Sequence, residues 1–327
     1  MNAPAIACVG AGRMGRGIAI AFAYAGQPVA LIDLKPRSDA DWQRLSADAI
    51  GEITASLQAL AKLGAVPADA VERIASRVSI VRNDDADAAL AAAQTIFEGV
   101  PETLEAKREA LARVCAAADA GAIIASTTST ILVTDLIPMV NHPERLINAH
   151  WLNPAYIIPL VELSAHDGTS TEVRERLAAL LHGIGKTTVM CGPTPGYIVP
   201  RLQALIMNEA ARMVDEGVAT AEDIDIATRQ GLGLRFAAIG VVEFIDFGGN
   251  DILYHASRYM SRTLSAERYT APPVVDRMMA EGRNGLKSGA GFYDYAGKDI
   301  PAYRLDVLDR TLGMLRHAGL FKPPVLD

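Results

Sequence analysis

Short apolar runs alternate with longer stretches of helical spacing from residue 5 to residue 191. Ala5–Val9, Pro28–Ile32, Val78–Val81, Thr95–Phe97, Ala122–Ala125, Leu146–Ala149 and Thr187–Cys191 read as strands. Between Trp42 and Ala75, Ala and Leu recur at helical spacing but are interrupted by Gly64 and Pro67, which predicts a long helix followed by a shorter one. Strands that alternate with helices build βαβ units, and βαβ units build a parallel, doubly wound sheet.

The pattern changes at Gly192-Pro193-Thr194-Pro195-Gly196, where two prolines and two glycines fall together in a stretch that neither a helix nor a central strand tolerates. Beyond it helical periodicity dominates. Ile198, Leu202, Leu205, Ile206 and Ala210 share one face of a first helix, and Thr220 with Asp223 forms a capping pair ahead of another. The expectation is an α/β protein: a Rossmann-type domain over 1–191, then an all-α domain over 192–327 for substrate binding and dimerisation. A chain of 327 residues fits two domains at ~100–200 residues each. The apolar stretch Phe236–Phe247 is the material for a homodimer interface, although Glu243 and Asp246 within it pull part of it toward the surface.

Composition narrows the partners. A hydrophobic content of 50% and a net charge of −7 give a core-forming chain with no broad positive field, which argues against nucleic acid and anionic membranes. Cys8, Cys115 and Cys191 are sparse and lack ligand spacing, so they read as reduced packing residues and no metal site is expected. The first residues lack a basic leader, and no apolar run reaches the ~18–20 residues of a spanning helix. The expected location is the cytoplasm.

The candidate chemistry begins at Gly10-Ala11-Gly12-Arg13-Met14-Gly15, directly after the first strand and opening a helix. Gly10 makes the tight turn, Gly12 admits backbone to a pyrophosphate, and Gly15 allows close helix-to-strand packing, with Met14 inside the same cofactor-binding turn. A glycine turn alone is a weak signal. Asp33, at the end of the second strand, strengthens it, because a carboxylate there accepts from a ribose diol and repels a 2′-phosphate. NAD is the expected cofactor, with Lys35 and Arg37 close enough to soften the repulsion.

From Phe97 onward a series of motifs resembles the 3-hydroxyacyl-CoA dehydrogenase family, in the family's order. These are Glu98-Gly99-Val100-Pro101-Glu102 with Lys107, Ala125-Ser126-Thr127-Thr128-Ser129-Thr130, His150-Trp151-Leu152-Asn153-Pro154, Pro159-Leu160-Val161-Glu162, Thr194-Pro195-Gly196-Tyr197-Ile198-Val199 and Lys287-Ser288-Gly289-Ala290-Gly291-Phe292-Tyr293. The resemblance implies oxidation of a 3-hydroxyl to a 3-keto group with NAD as acceptor. It implies that His150 is the base, Glu162 its orienting acid and Ser129 the group that positions the substrate hydroxyl. Glu102 and Lys107 then line the nicotinamide end of the cofactor site, unless they form an exposed helix pair. Imidazole, with an ordinary pKa near ~6.5, suits a reversible proton transfer at neutral pH.

Three features depart from the family. Pro200 stands where the family usually has an Asn after Gly-Phe-Ile-Val, whose amide helps hold the substrate carbonyl. Ser46–Ala61, where the acyl-CoA enzymes place cations for the CoA phosphates, has no Lys or Arg. The segment Gly231–Gly240 carries Arg235 and resembles the lambda-crystallin (L-gulonate dehydrogenase) and carnitine dehydrogenase branch, in which an Arg fork suits a free carboxylate. Phe292-Tyr293, by contrast, resembles the acyl-CoA enzymes, so free 3-hydroxy acid and CoA thioester both stand as substrates. A non-catalytic NAD-binding protein, structural like a crystallin or regulatory, is the alternative of a different class.

Overall fold

The computed structural model describes residues 5–326, in two compact units, one ending at Ile206 and the other beginning at Met207. In the first unit eight strands form one sheet: β1 Ile6–Val9, β2 Val29–Ile32, β3 Val78–Val81, β4 Thr95–Glu98, β5 Ile123–Ser126, β6 Leu146–Trp151, β7 Leu160–Ser164 and β8 Thr187–Cys191. Their order is β3-β2-β1-β4-β5-β6-β7-β8. The first six strands follow the doubly wound dinucleotide-binding order, with the change of direction falling between β1 and β4. β1, β2, β4 and β5 are buried along their whole length, which is why they read as continuous apolar runs rather than alternating ones.

The helices of this unit are α1 Arg13–Tyr24, α2 Asp39–Lys62, α3 Val71–Ala75, α4 Ala86–Ala92, α5 Leu104–Ala117, α6 Val133–Leu136, α7 Thr171–Gly183 and α8 Val199–Asp215, the last running on into the second unit. The break between α2 and α3 falls at Gly64 and Pro67, as the spacing predicts. On one face of the sheet Phe22 of α1, Phe97 of β4 and Trp151 of β6 pack ring against ring, with centroids 5.5–6.3 Å apart. Truncating Trp151 to Ala would cost about 3–5 kcal/mol, the usual penalty for emptying a buried aromatic site.

Every strand that the sequence predicts forms, within two residues at its ends. β7 is an addition. Its run Leu160-Val161-Glu162-Leu163-Ser164 carries a carboxylate among residues that are nearly all buried, so it shows neither alternation nor a pure apolar run. It pairs antiparallel with β6, and β8 is parallel to it, so these last two strands run against the first six.

The second unit contains helices and, among the described residues, only isolated bridges at Gly285, Ala290 and Asp294. Thr220 caps the helix Ala221–Ala227 by accepting from the Asp223 amide, as expected. Asp246 departs from its surface expectation: it is fully buried and accepts from the Phe292 and Tyr293 amides at 3.0 and 2.8 Å. A buried carboxylate with such donors ties the C-terminal loop to the helix Val241–Gly248. No described helix is long and apolar enough to cross a membrane.

Candidate active site

Two neighbouring parts of the first unit carry the predicted residues. The first is a cleft of about 740 Å³ lined by Gly10, Gly12, Asp33, Lys35, Arg37 and Gly99, among others. Gly10 holds φ +102°, and a Cβ there would stand 2.6 Å from the Gly99 carbonyl oxygen. A Cβ on Gly15 would lie 2.0 Å from the Gly10 oxygen, so neither position accepts a side chain without moving backbone. In front of Gly12 the space is open. Gly12 is the cap of α1, no side chain satisfies the cap and no acid occupies the first turn, so the unpaired amides and helix dipole make a cradle for an anion.

Asp33 directly follows β2 and is buried. One of its oxygens pairs with the Arg37 guanidinium, and the other has no protein donor among the described residues. This matches what a dinucleotide needs: an anion cradle at one end of the cleft and a free carboxylate oxygen at the other. On α2, Glu52 pairs with Arg16 at 2.5 Å.

The second part is built on β6 and β7. Antiparallel register sets His150 directly opposite Glu162, and Nδ1 of the imidazole lies 2.8 Å from Glu162 Oε2. The other oxygen, Oε1, accepts from the Ile198 and Val199 amides at 2.9 and 2.8 Å. Glu162 is fully buried, and a buried carboxylate persists only when its lone pairs are met in this way. With Nδ1–H donating to Glu162, Nε2 is the lone-pair nitrogen, and no protein group occupies it among the described residues.

Ser129 lies in the exposed loop after β5. Glu102 organises that loop. Its Oε1 accepts from the Ser129 amide, the Thr130 amide and the Thr130 hydroxyl, each at 2.9 Å, and also from the Thr128 hydroxyl. Burial works against its ionisation more than any other single influence, but the hydrogen bonds from Thr128 and Thr130 and the nearby Lys107 together bring it down to about 2. Lys107 is fully buried, and its ammonium lies 3.1 and 3.0 Å from the two oxygens of Glu98 and 3.5 Å from Glu102. The exposed helix pair is therefore not what forms. Lys107 meets the Ser129 loop through Glu102, and it also donates to the Ser126 hydroxyl at 3.5 Å, at the end of β5.

Arg235 sits in the second unit on the helix Leu234–Ala238, where its Nε donates to the Gly231 carbonyl at 2.8 Å and its guanidinium lies over the Phe244 ring. Pro200 occupies the first turn of α8, a position where a missing N–H costs nothing. The sequence motifs omitted Glu98, Asn148 and Tyr197 as site residues. Asn148 had a signal, since it stands two residues before His150 and so on the same face of β6. Glu98 and Tyr197 had none beyond their places in the quoted motifs.

A glycine-rich cradle, a strand-end carboxylate and the doubly wound order define a Rossmann-type dinucleotide-binding protein, and the adjoining His–Glu pair adds the means to move a proton. The model for the NAD-binding domain of 3-hydroxyacyl-CoA dehydrogenase matches residues 5–194, and that for its C-terminal domain matches residues 196–295. The chain belongs to the 3-hydroxyacyl-CoA dehydrogenase family, and its cofactor is NAD. It is 33% identical to the 3-hydroxyadipyl-CoA dehydrogenase of Escherichia coli over 97% of its own length, spanning 64% of that protein. It is also 33% identical to the L-carnitine dehydrogenase of Streptomyces coelicolor, over 84% of this chain and 83% of that one. A solved 3-hydroxyacyl-CoA dehydrogenase of Archaeoglobus fulgidus is similar in structure, with a TM-score of 0.75 at 28% identity over 97% of this chain and 99% of the other.

Proposed function

We propose that the protein oxidises the 3-hydroxyl of a 3-hydroxy acid, reversibly, with His150 as the catalytic base. The observation that carries this reading is the buried His150–Glu162 pair, in which Nε2 of the imidazole has no protein partner among the described residues. Bound NAD supplies the two-electron acceptor, the Gly12 cradle receives its pyrophosphate and Asp33 its ribose. His150 Nε2 takes the proton of the hydroxyl and returns it in the reverse reaction. Glu162 fixes the tautomer and steadies the charged imidazole that results. Ser129 holds the alcohol oxygen, with Glu102 setting the loop and Lys107 setting Glu102 through the buried charge cluster.

The substrate we favour is the free acid. Pro200 lacks the amide that a thioester carbonyl would use, the Ser46–Ala61 part of α2 has no cation for a CoA phosphate, and Arg235 offers a fork for a carboxylate. The relatives include both classes by name, L-carnitine and 3-hydroxyadipyl-CoA dehydrogenases. NADH formation measured with free 3-hydroxybutyrate, L-carnitine and 3-hydroxybutyryl-CoA tests this. Losing a charge-assisted bond worth ~1.5–3 kcal/mol, Arg235→Met should raise the KM of a free acid about ten- to a hundredfold. Efficient turnover of the thioester that ignores Arg235→Met overturns the free-acid reading. Bound NAD with no turnover on any of the three supports a structural or regulatory protein instead.

A homodimer is part of the same proposal. Leu202, Leu205, Ile206 and Met207 of α8, and Val241 and Val242 of the Phe236–Phe247 stretch, are exposed in the single chain and offer apolar surface for a partner copy. Sedimentation at micromolar concentration should give about twice 34.7 kDa, and a monomer mass refutes it.

A further inference from the structure

Tyr197 meets both halves of the proposed catalytic apparatus. Its ring lies parallel to the His150 imidazole, with centroids 4.8 Å apart and 10° between the planes. Its hydroxyl donates to the Thr128 carbonyl at 2.9 Å and accepts from the Asn148 amide at 3.1 Å. Thr128 directly precedes Ser129, and the same Asn148 amide also donates to the Ile131 carbonyl at 3.0 Å, beyond Ser129. The two amides that follow Tyr197, those of Ile198 and Val199, are the ones bound to Glu162. The residue holds φ 45°, a conformation uncommon for a bulky residue and one that persists only when the surroundings enforce it.

We infer that Tyr197 is a positioning residue for the reaction, its ring holding the His150 imidazole and its hydroxyl holding the Ser129 loop. The inference rests on His150 being the base. A stacked ring at this separation restricts the imidazole to one plane, while the bond from Nδ1 to Glu162 fixes its rotation within that plane. The two together aim Nε2. The hydroxyl acts elsewhere: it ties the backbone on one side of Ser129, and Asn148 ties the other. Ring and hydroxyl therefore serve different parts of the reaction. Loss of the ring should weaken proton transfer, and loss of the hydroxyl should weaken the hold on the substrate alcohol. Burial pushes the phenol well above its ordinary range, so the hydroxyl stays a neutral donor at working pH.

Two variants separate these roles. Tyr197→Phe keeps the stack and removes the hydroxyl; Tyr197→Leu removes both while filling much of the volume. With whichever of free 3-hydroxybutyrate, L-carnitine and 3-hydroxybutyryl-CoA the wild type turns over, Tyr197→Phe should raise KM about three- to tenfold with kcat nearly unchanged. Tyr197→Leu should in addition lower kcat by about ten- to a hundredfold, a fraction of the 10²–10⁴ that general acid-base catalysis commonly supplies. A second readout needs no substrate: the downfield proton resonance of the Nδ1–H bonded to Glu162 should be sharp in wild type and in Tyr197→Phe, and broadened or lost in Tyr197→Leu. Both variants should keep the wild-type circular dichroism and NADH affinity. A sharp, undiminished resonance together with wild-type kcat in a folded Tyr197→Leu overturns the inference while leaving His150 as the base. Full activity in a His150→Gln variant removes the base itself, and that outcome is distinct.

Discussion

The cofactor cleft and the His150 site lie in the same unit, yet they are built in opposite ways. The cleft is local: Gly10, Gly12, Gly15 and Asp33 fall within one strand–helix–strand unit, and backbone sterics dictate Gly10 and Gly15, the first of them against Gly99. The His150 site is assembled from afar. It draws on β6, β7, the turn before α8 and the loop after β5, and the bonds that hold it join residues 12 to 69 positions apart. A site of the first kind is robust because each part fits its neighbour in sequence. A site of the second kind depends on a buried carboxylate, Glu162, whose three donors come from two different elements.

That difference can be tested by removing one member of each region. The larger effect should come from Glu162→Gln, which leaves the volume but loses the charge and one of the two acceptor oxygens that His150 and the two amides divide between them. Turnover should fall on the order of 10²-fold or more, with NADH affinity unchanged. Equal loss of both would mean that the two regions are not separable. Asp33→Ala should do the reverse. Losing hydrogen bonds to a charged group, at ~1.5–3 kcal/mol each, it should weaken NADH binding about ten- to a hundredfold by fluorescence titration and narrow the margin over NADPH, while the kcat at saturating cofactor stays close to wild type. A wild type that prefers NADPH would contradict the role of Asp33.

The smallest effect concerns Glu102 and pH. Its carboxyl is depressed to about 2 against an ordinary 4.5, so its hold on the Ser129 loop is fully present above about 4.5 and is lost as pH falls through about 2. Amide exchange at Ser129 and Thr130, corrected for the intrinsic pH dependence, should lose protection across that window and not above it. Loss of protection already between pH 5 and 7 would show that Glu102 is not what orders the loop.

The contrast also explains what was legible in the sequence. Gly10 to Asp33 could be read because the glycine turn after an apolar strand is joined by a carboxylate at the end of the next one, and the structure places each where the pattern puts it. The central strands β1, β2, β4 and β5 were equally visible, since burial on both faces gives continuous apolar runs. β7 was not. Glu162 interrupts its apolar character, and its antiparallel pairing with β6 is a tertiary event that no local period records. For the same reason the motifs supplied His150 and Glu162 but not their contact, and Lys107 gave no sign that it is buried among carboxylates. Tyr197 was visible only as a letter in a motif. Its stack on His150 depends on a left-handed backbone conformation at a non-glycine residue, which sequence patterns do not anticipate.

The central claim is that His150 moves the substrate proton, and it is tested most directly by NADH formation in His150→Gln. With a substrate that the wild type oxidises, turnover should fall by about 10²–10⁴, while the NADH dissociation constant stays within about twofold because the cradle at Gly12 and Asp33 is untouched. Wild-type turnover in that variant would contradict the account.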